Sequence, residues 1–150
     1  MSYTPPAGPA TSTTRGVLKL TNDLGGTADL PTVPIAARVV GGGLETVSTN
    51  AGATGSVTLN LANGNVFNVT MTGNTTFTFS GATSGKACAF TLYLKQDATG
   101  GRVVTWPAAA KWSGGQPSLT ITASAVDVLV FETLDGGTNW YGSLVGTNFA

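Results

Sequence analysis

The sequence predicts an all-β protein, an antiparallel β-sandwich or jelly-roll domain with an extended N-terminal arm. From Ser56 onward, apolar and polar residues alternate with a period of two, as in strands that bury one face. Turn-forming pairs separate these runs about every ten residues, which is typical of an all-β domain. No stretch has the helical period, and 150 residues with 41% hydrophobic content suffice for one core.

The first 43 residues are predicted to form the arm, and residues 44–150 the β-sandwich domain. Residues 1–14 are rich in Pro, Thr, Ser and Ala, a composition that orders only against a partner. Residues 13–34 carry apolar side chains between turn formers, in a segment too short to bury them. Three glycines at 41–43 indicate a hinge. The arm residues predicted to be covered by a partner are Val17, Leu18, Leu20, Leu24, Leu30, Val33 and Ile35.

The domain is predicted to contain short strands joined by glycine-rich turns. In chain order the predicted strands are 57–61, 67–71, 77–79, 88–94, 103–106, 119–122, 126–134 and 139–145. The predicted turns are Asn63-Gly64, Gly73-Asn74, Thr99-Gly100-Gly101, Ser113-Gly114-Gly115 and Asp135-Gly136-Gly137. Residues 126–134 are apolar at both sets of alternating positions, which predicts a central strand.

The charge content limits the class of partner. Only 9% of the residues are charged, where about 25% is typical, and seven basic residues balance seven acidic ones. Weak repulsion between copies favours close association in an assembly. The absence of a basic stripe argues against nucleic-acid binding, and no apolar run approaches the roughly 20 residues that membrane insertion needs. A single cysteine and the lack of a signal-peptide pattern predict synthesis in a reducing cytoplasm.

The sequence predicts no enzyme, and no catalytic, cofactor-binding or metal-binding residues. It contains no histidine, which removes the Ser-His-Asp triad and the commonest metal ligand. Cys88 alternates with apolar strand residues and is predicted to be structural. The segment 81–86 resembles a phosphate loop, but no Ser or Thr follows its lysine, and we predict a turn. Asp127 and Glu132 are predicted to point to opposite faces of one strand.

Four aromatic residues near the C-terminal half have two interpretations. They could stack on sugar rings as glycan contacts, or they could cap the sandwich and fill a subunit interface. The sequence leaves both interpretations open. These residues are Trp106, Trp112, Trp140 and Tyr141.

Two segments resemble tail fibres and minor tail proteins of tailed bacteriophages. The first is TTRGVLKLTNDLGGTADLPTVP, residues 13–34, and the second lies within residues 73–149 and includes FTLYLKQDATGGRVVTWPAAAKW and VDVLVFETLDGGTNWYGSLVGTNF. The resemblance implies a homotrimer in the virion, with the N-terminal part bound to other virion proteins and the β-domain projecting outward toward host-surface glycans. Long fibres repeat the first motif, and its single copy here predicts a short appendage.

Three alternatives remain at the level of the sequence. A capsid decoration or head-fibre protein would be anchored to the shell by residues 1–40. A carbohydrate-binding module would use the three tryptophans as its platform. A polysaccharide depolymerase is the least favoured, since without histidine it would need a carboxylate pair.

Overall fold

The computed structural model describes residues 25–27, 30–32 and 45–149. The chain divides into two compact units, residues 1–44 and 45–150. In the first unit, β1 (Gly25–Thr27) pairs antiparallel with β2 (Leu30–Thr32). Among the predicted arm contacts, Leu30 lies in β2. The other predicted contacts lie outside the described residues, and these are Val17, Leu18, Leu20, Leu24, Val33 and Ile35.

The second unit is built on one mixed sheet of seven strands. The strands are β3 (Val47–Asn60), β4 (Val66–Ser80), β5 (Cys88–Gln96), β6 (Val104–Thr105), β7 (Ala110–Trp112), β8 (Val126–Thr133) and β9 (Trp140–Phe149). Their order is β3-β4-β5-β8-β9-β7, and β6 pairs with β4. The all-β prediction is confirmed, and β8, the strand that is apolar on both faces, lies inside the sheet between β5 and β9.

The strand directions are more varied than the predicted antiparallel arrangement. The pairs β5–β8 and β8–β9 are antiparallel, whereas β3–β4, β4–β5, β4–β6 and β7–β9 are parallel. Alternation with a period of two is the same in both kinds of ladder, so the sequence pattern does not distinguish them.

The parallel pairing of β3 and β4 requires the chain to coil. Val47 pairs with Val66 and Asn60 pairs with Ser80, yet only residues 61–65 separate the two strands. A straight strand of 14 residues would span about 45 Å, whereas the link reaches roughly 20 Å, so β3 must turn a corner. Register shifts between Asn50 and Gly55 mark that corner.

The coils stack on one another through backbone hydrogen bonds. The amide of Asn65 donates to the carbonyl of Thr46 at 3.2 Å, and the amide of Thr91 donates to the carbonyl of Asn65 at 2.9 Å. The predicted turn at Gly73-Asn74 lies inside β4, where it forms part of the equivalent corner and does not reverse the chain.

The prediction of a strand at residues 119–122 is wrong, because side chains occupy its backbone groups. The amide Nε2 of Gln96 donates to the carbonyl of Thr120 at 3.0 Å, and the amide of Thr120 donates to Oδ2 of Asp127 at 2.6 Å. Both side chains are 2% exposed. These two buried side chains pair with the backbone N–H and C=O of Thr120, which would otherwise have paired with a neighbouring strand.

An aromatic cluster fills the interior between the coiled strands and the antiparallel strands. The ring of Phe131 lies 4.9 Å from that of Phe79, 5.0 Å from that of Phe90 and 5.3 Å from that of Trp112, measured between centroids. Phe131 is completely buried, and burial of such a side chain contributes about 1.5–3 kcal/mol. The cluster therefore joins the two halves of the sheet.

Candidate binding surface

The aspartates of the domain have structural partners. Asp127 points inward, where Oδ2 accepts from the amide of Thr120 and Oδ1 accepts from the amide of Asn148 at 2.9 Å. Glu132 is exposed on the other face, as predicted. Within residues 45–149 and the β1–β2 hairpin there is no group of three or more His, Cys, Asp or Glu side chains that could hold a metal ion.

Two further aspartates stabilise loops. The side chain of Arg102 hydrogen-bonds to Asp97, with Nη2 2.7 Å from Oδ2, and this lowers the pKa of the carboxyl. The backbone amide and side-chain amide of Asn139 both donate to Asp135, and they lower its pKa from 3.8 to about 2. These contacts are characteristic of turns, because each carboxylate organises its own loop.

The structure separates the four aromatic residues that the sequence singled out. Trp106 and Trp140 are 8% and 1% exposed and lie in the aromatic cluster. Trp112 is half-buried, with its ring 5.4 Å from that of Trp106. Tyr141 is 52% exposed and points to the opposite side of β9 from Trp140. Sugar rings can therefore reach Tyr141, whereas the two buried tryptophans belong to the core.

The outer side of β5, β8 and β9 carries several apolar side chains, interrupted by the hydroxyls of Thr91 and Ser143 on either side of Val130. The strand register places Tyr93 opposite Val128, and Val126 opposite Phe149. A shallow groove of about 480 Å³ runs between these side chains and Val145. We call this surface the apolar face, and its residues are Tyr93, Val126, Val128, Val130, Val145 and Phe149.

Most of the exposed apolar bulk of the domain lies on the outer side of the sheet. In the described part of the chain eight large hydrophobic residues are exposed. Five of them stand at outward positions of the strands, namely Val47, Tyr93, Tyr141, Val145 and Phe149. Three of the five, Tyr93, Val145 and Phe149, line the same groove, and such a patch is a candidate interaction surface, since single scattered apolar residues are normal on a protein.

Charged residues border the apolar face. Lys95 lies beside Val126 at one end of β5, and Glu132 lies beside Tyr141 toward the other end. Lys111 of β7 pairs with Tyr141 from the other side. The register therefore gathers one exposed aromatic ring, one cation and one carboxylate into a single row across three strands.

Apart from Val47 and Val66 at the start of the two strands, the outer side of β3 and β4 is mostly polar. Thr58 stands beside Thr78 with their hydroxyl oxygens 2.8 Å apart, and Thr49 stands beside Asn68. Hydroxyl and amide groups here are free to hydrogen-bond with water, as expected for the solvated side of a sheet.

Sequence reasoning missed Tyr93, Val128 and Phe149 as surface residues of interest. Tyr93 occupies a polar position in the alternation of β5, and the apolar pattern on both sides of β8 was interpreted as central burial. The available signal is a tyrosine at a polar position of one strand together with outward valines on another. It becomes informative only when the strand register is known, because the register places Tyr93 beside Val128.

The comparisons with known proteins give one finding. A family model described as "Putative phage tail fibre C-terminal domain" matches residues 53–139, which is more than half of the chain. The match runs from the corner of β3 to the turn before β9. No curated protein and no solved structure matches the chain. Among the residues described, no helix has the length and hydrophobicity that a membrane crossing requires.

Proposed function

We propose that this chain, which belongs to the family of phage tail fibre C-terminal domains, is a short trimeric tail fibre or minor tail protein. Family membership makes it a tail fibre-like structural protein and a virion component. The observation that carries the proposal is the family match over residues 53–139. We further propose that the chain has no enzymatic role.

The N-terminal arm, residues 1–43, is proposed to anchor the chain to other virion proteins. Its apolar residues stand among turn formers in a segment that needs a partner to cover them. The β-domain would project from the particle exterior after synthesis in the host cytoplasm. The low charge of the whole chain supports close packing of copies in such an appendage.

Labelling of intact particles tests the location. Gold-labelled antibodies against the β-domain should decorate the tail, and labelling of the shell would support the alternative of a capsid decoration or head-fibre protein. Deletion of residues 1–43 should leave a folded β-domain by circular dichroism that no longer joins the particle. Particles that incorporate the shortened chain normally would contradict an anchoring arm.

Glycan contact is a second, finer proposal, and the row around Tyr141 supports it. The exposed ring offers a stacking surface, and Lys111 and Glu132 beside it offer hydrogen-bonding groups for sugar hydroxyls. A stand-alone carbohydrate-binding module with a tryptophan platform has less support, because Trp106 and Trp140 are buried.

Binding to host cells and to a glycan array tests this proposal. Tyr141→Ala should reduce binding at least tenfold, because the stacking surface is lost, while Ile121→Ala, which removes an exposed side chain outside the strands, should leave it unchanged. Equal binding by both variants and the wild-type chain would contradict a sugar contact at Tyr141.

A further inference from the structure

We propose that the apolar face is the surface through which copies of this chain meet in the trimer. The inference rests on the proposed function, which supplies the trimer, and it assigns the contact to the β-domain in addition to the arm. The occupant of the groove between Tyr93, Val128 and Phe149 is therefore a second copy of the chain.

The first argument is the composition of the outer positions of β8. Strands that face water on one side carry polar residues there, and most outward positions of β3 and β4 follow that rule, Val47 and Val66 excepted. Three successive outward positions of β8 are Val126, Val128 and Val130, and all three are only half-buried by their neighbours in the sheet. Aliphatic side chains of this kind favour a protein partner, since sugars bind through aromatic rings and polar groups.

The second argument is the distribution of charge. In a three-fold assembly each residue near the axis faces its own copies, so a charge there would meet like charges. The register places Lys95 and Glu132 at opposite ends of β5 and β8, and the outward-facing rows between them contain no charged residue, since Asp127 points inward. The apolar face can therefore pack against itself without repulsion, and its charges remain at the rim.

The third argument is size. Seven residues of a strand span about 20 Å, and three strands with their side chains are roughly 15 Å wide, so one face offers about 300 Å². In a trimer each pair of neighbouring copies then shares only about 300 Å² of this face, which is below the roughly 1,000 Å² of a specific interface that is stable by itself. The size of the face therefore suits a secondary contact between subunits that the arm also holds together, and not a trimer held by the β-domain alone.

Two tyrosines allow a direct test in the wild-type protein. Tyr93 on the apolar face and Tyr141 beyond its end are 43% and 52% exposed in the single chain. Nitration followed by peptide mass spectrometry should modify Tyr93 at least tenfold more slowly than Tyr141 in the full-length oligomer. Equal rates in a trimer would overturn the proposed contact while leaving the trimer itself intact.

A pair of matched variants provides the second test. Val145 and Ile121 are 64% and 62% exposed, and only Val145 lies on the apolar face. Val145→Glu should lower the mass measured by light scattering from three chains toward one, or raise the dissociation constant at least tenfold, and should make Tyr93 reactive. Ile121→Glu should keep both wild-type properties, and circular dichroism checks that both variants fold.

The outcomes separate the two proposals. A wild-type chain that is a stable monomer would overturn the trimer and this interface together. A Val145→Glu trimer in which Tyr93 stays protected would overturn only the interface. Protection of Tyr93 that appears only after host polysaccharide is added would also overturn it, because the face would then be a glycan site.

Discussion

The two halves of the sheet share one core but have different outer sides. The coiled half, β3 and β4, presents mainly threonine and asparagine outward, with valines only at 47 and 66. The antiparallel half, β5, β8 and β9, presents mainly valine, tyrosine and phenylalanine, with Thr91 and Ser143 between them. Both halves pack their inner sides on the same aromatic cluster. Folding of the single chain therefore does not explain the apolar residues on the outer side, and the contrast supports the proposed contact between copies.

Removal of the Phe131 ring should have the largest effect on stability, because both halves of the sheet pack against it. Phe131→Ala leaves a cavity among Phe79, Phe90 and Trp112 and should lower the free energy of unfolding by about 3–5 kcal/mol. Urea denaturation, monitored by tryptophan fluorescence, measures this loss in the free energy of unfolding. A loss below about 1 kcal/mol would mean that the halves are stabilised separately.

Substitutions at two glycines test how tightly each half of the sheet is packed. A Cβ at Gly142 in β9 would lie 2.6 Å from the ring of Trp112 and 2.8 Å from that of Phe131, so Gly142→Ala should cost about 1–3 kcal/mol. Gly52 at the corner of β3 has open space around the same position. Gly52→Ala should stay within about 0.5 kcal/mol of the wild type in the same denaturation assay. The reverse order would contradict the described packing.

Acid titration tests the turn that joins β8 to β9. The folded-state pKa of Asp135 is lowered to about 2 by Asn139, so the contribution of this carboxylate to stability is complete above 3.8 and is lost as the pH falls from 3.8 to about 2. The melting temperature of the wild type should exceed that of Asp135→Asn at neutral pH, and the two should converge near pH 2. Parallel curves would contradict the lowered pKa.

The smallest effect is expected on the polar outer side. Thr78→Val removes the hydroxyl that lies 2.8 Å from that of Thr58 on the surface, and the free energy of unfolding should change by no more than about 0.5 kcal/mol. The mass of the oligomer should also stay the same. A larger assembly would show that any added apolar group promotes association, and the contrast between the halves would then lose its meaning.

The candidate surface was only partly predictable. Alternation correctly indicated that Asp127 and Glu132 lie on opposite sides of β8. It could not decide which side of β9 faces the core, and so it treated Trp140 and Tyr141 alike. That decision depends on the cluster around Phe131, whose members come from distant parts of the chain.

The coil was the feature of the fold hardest to predict. The glycines at 52, 55 and 73 and the similar patterns of residues 47–60 and 66–80 were its available signal. Short links between strands usually indicate hairpins, because parallel strands ordinarily need a connection of a dozen or more residues. A strand that bends in its middle removes that need, and no local pattern predicts the bend.

The sequence by itself determined the all-β class, the central position of β8 and which residues of a strand share a side, because a period of two assigns side chains to opposite sides wherever the strand lies. The tertiary structure decided the strand directions, the burial of Trp106 and Trp140, and the meeting of Tyr93, Val128 and Phe149 on one face. These depend on register between distant segments, and register arises from the packing of the whole core.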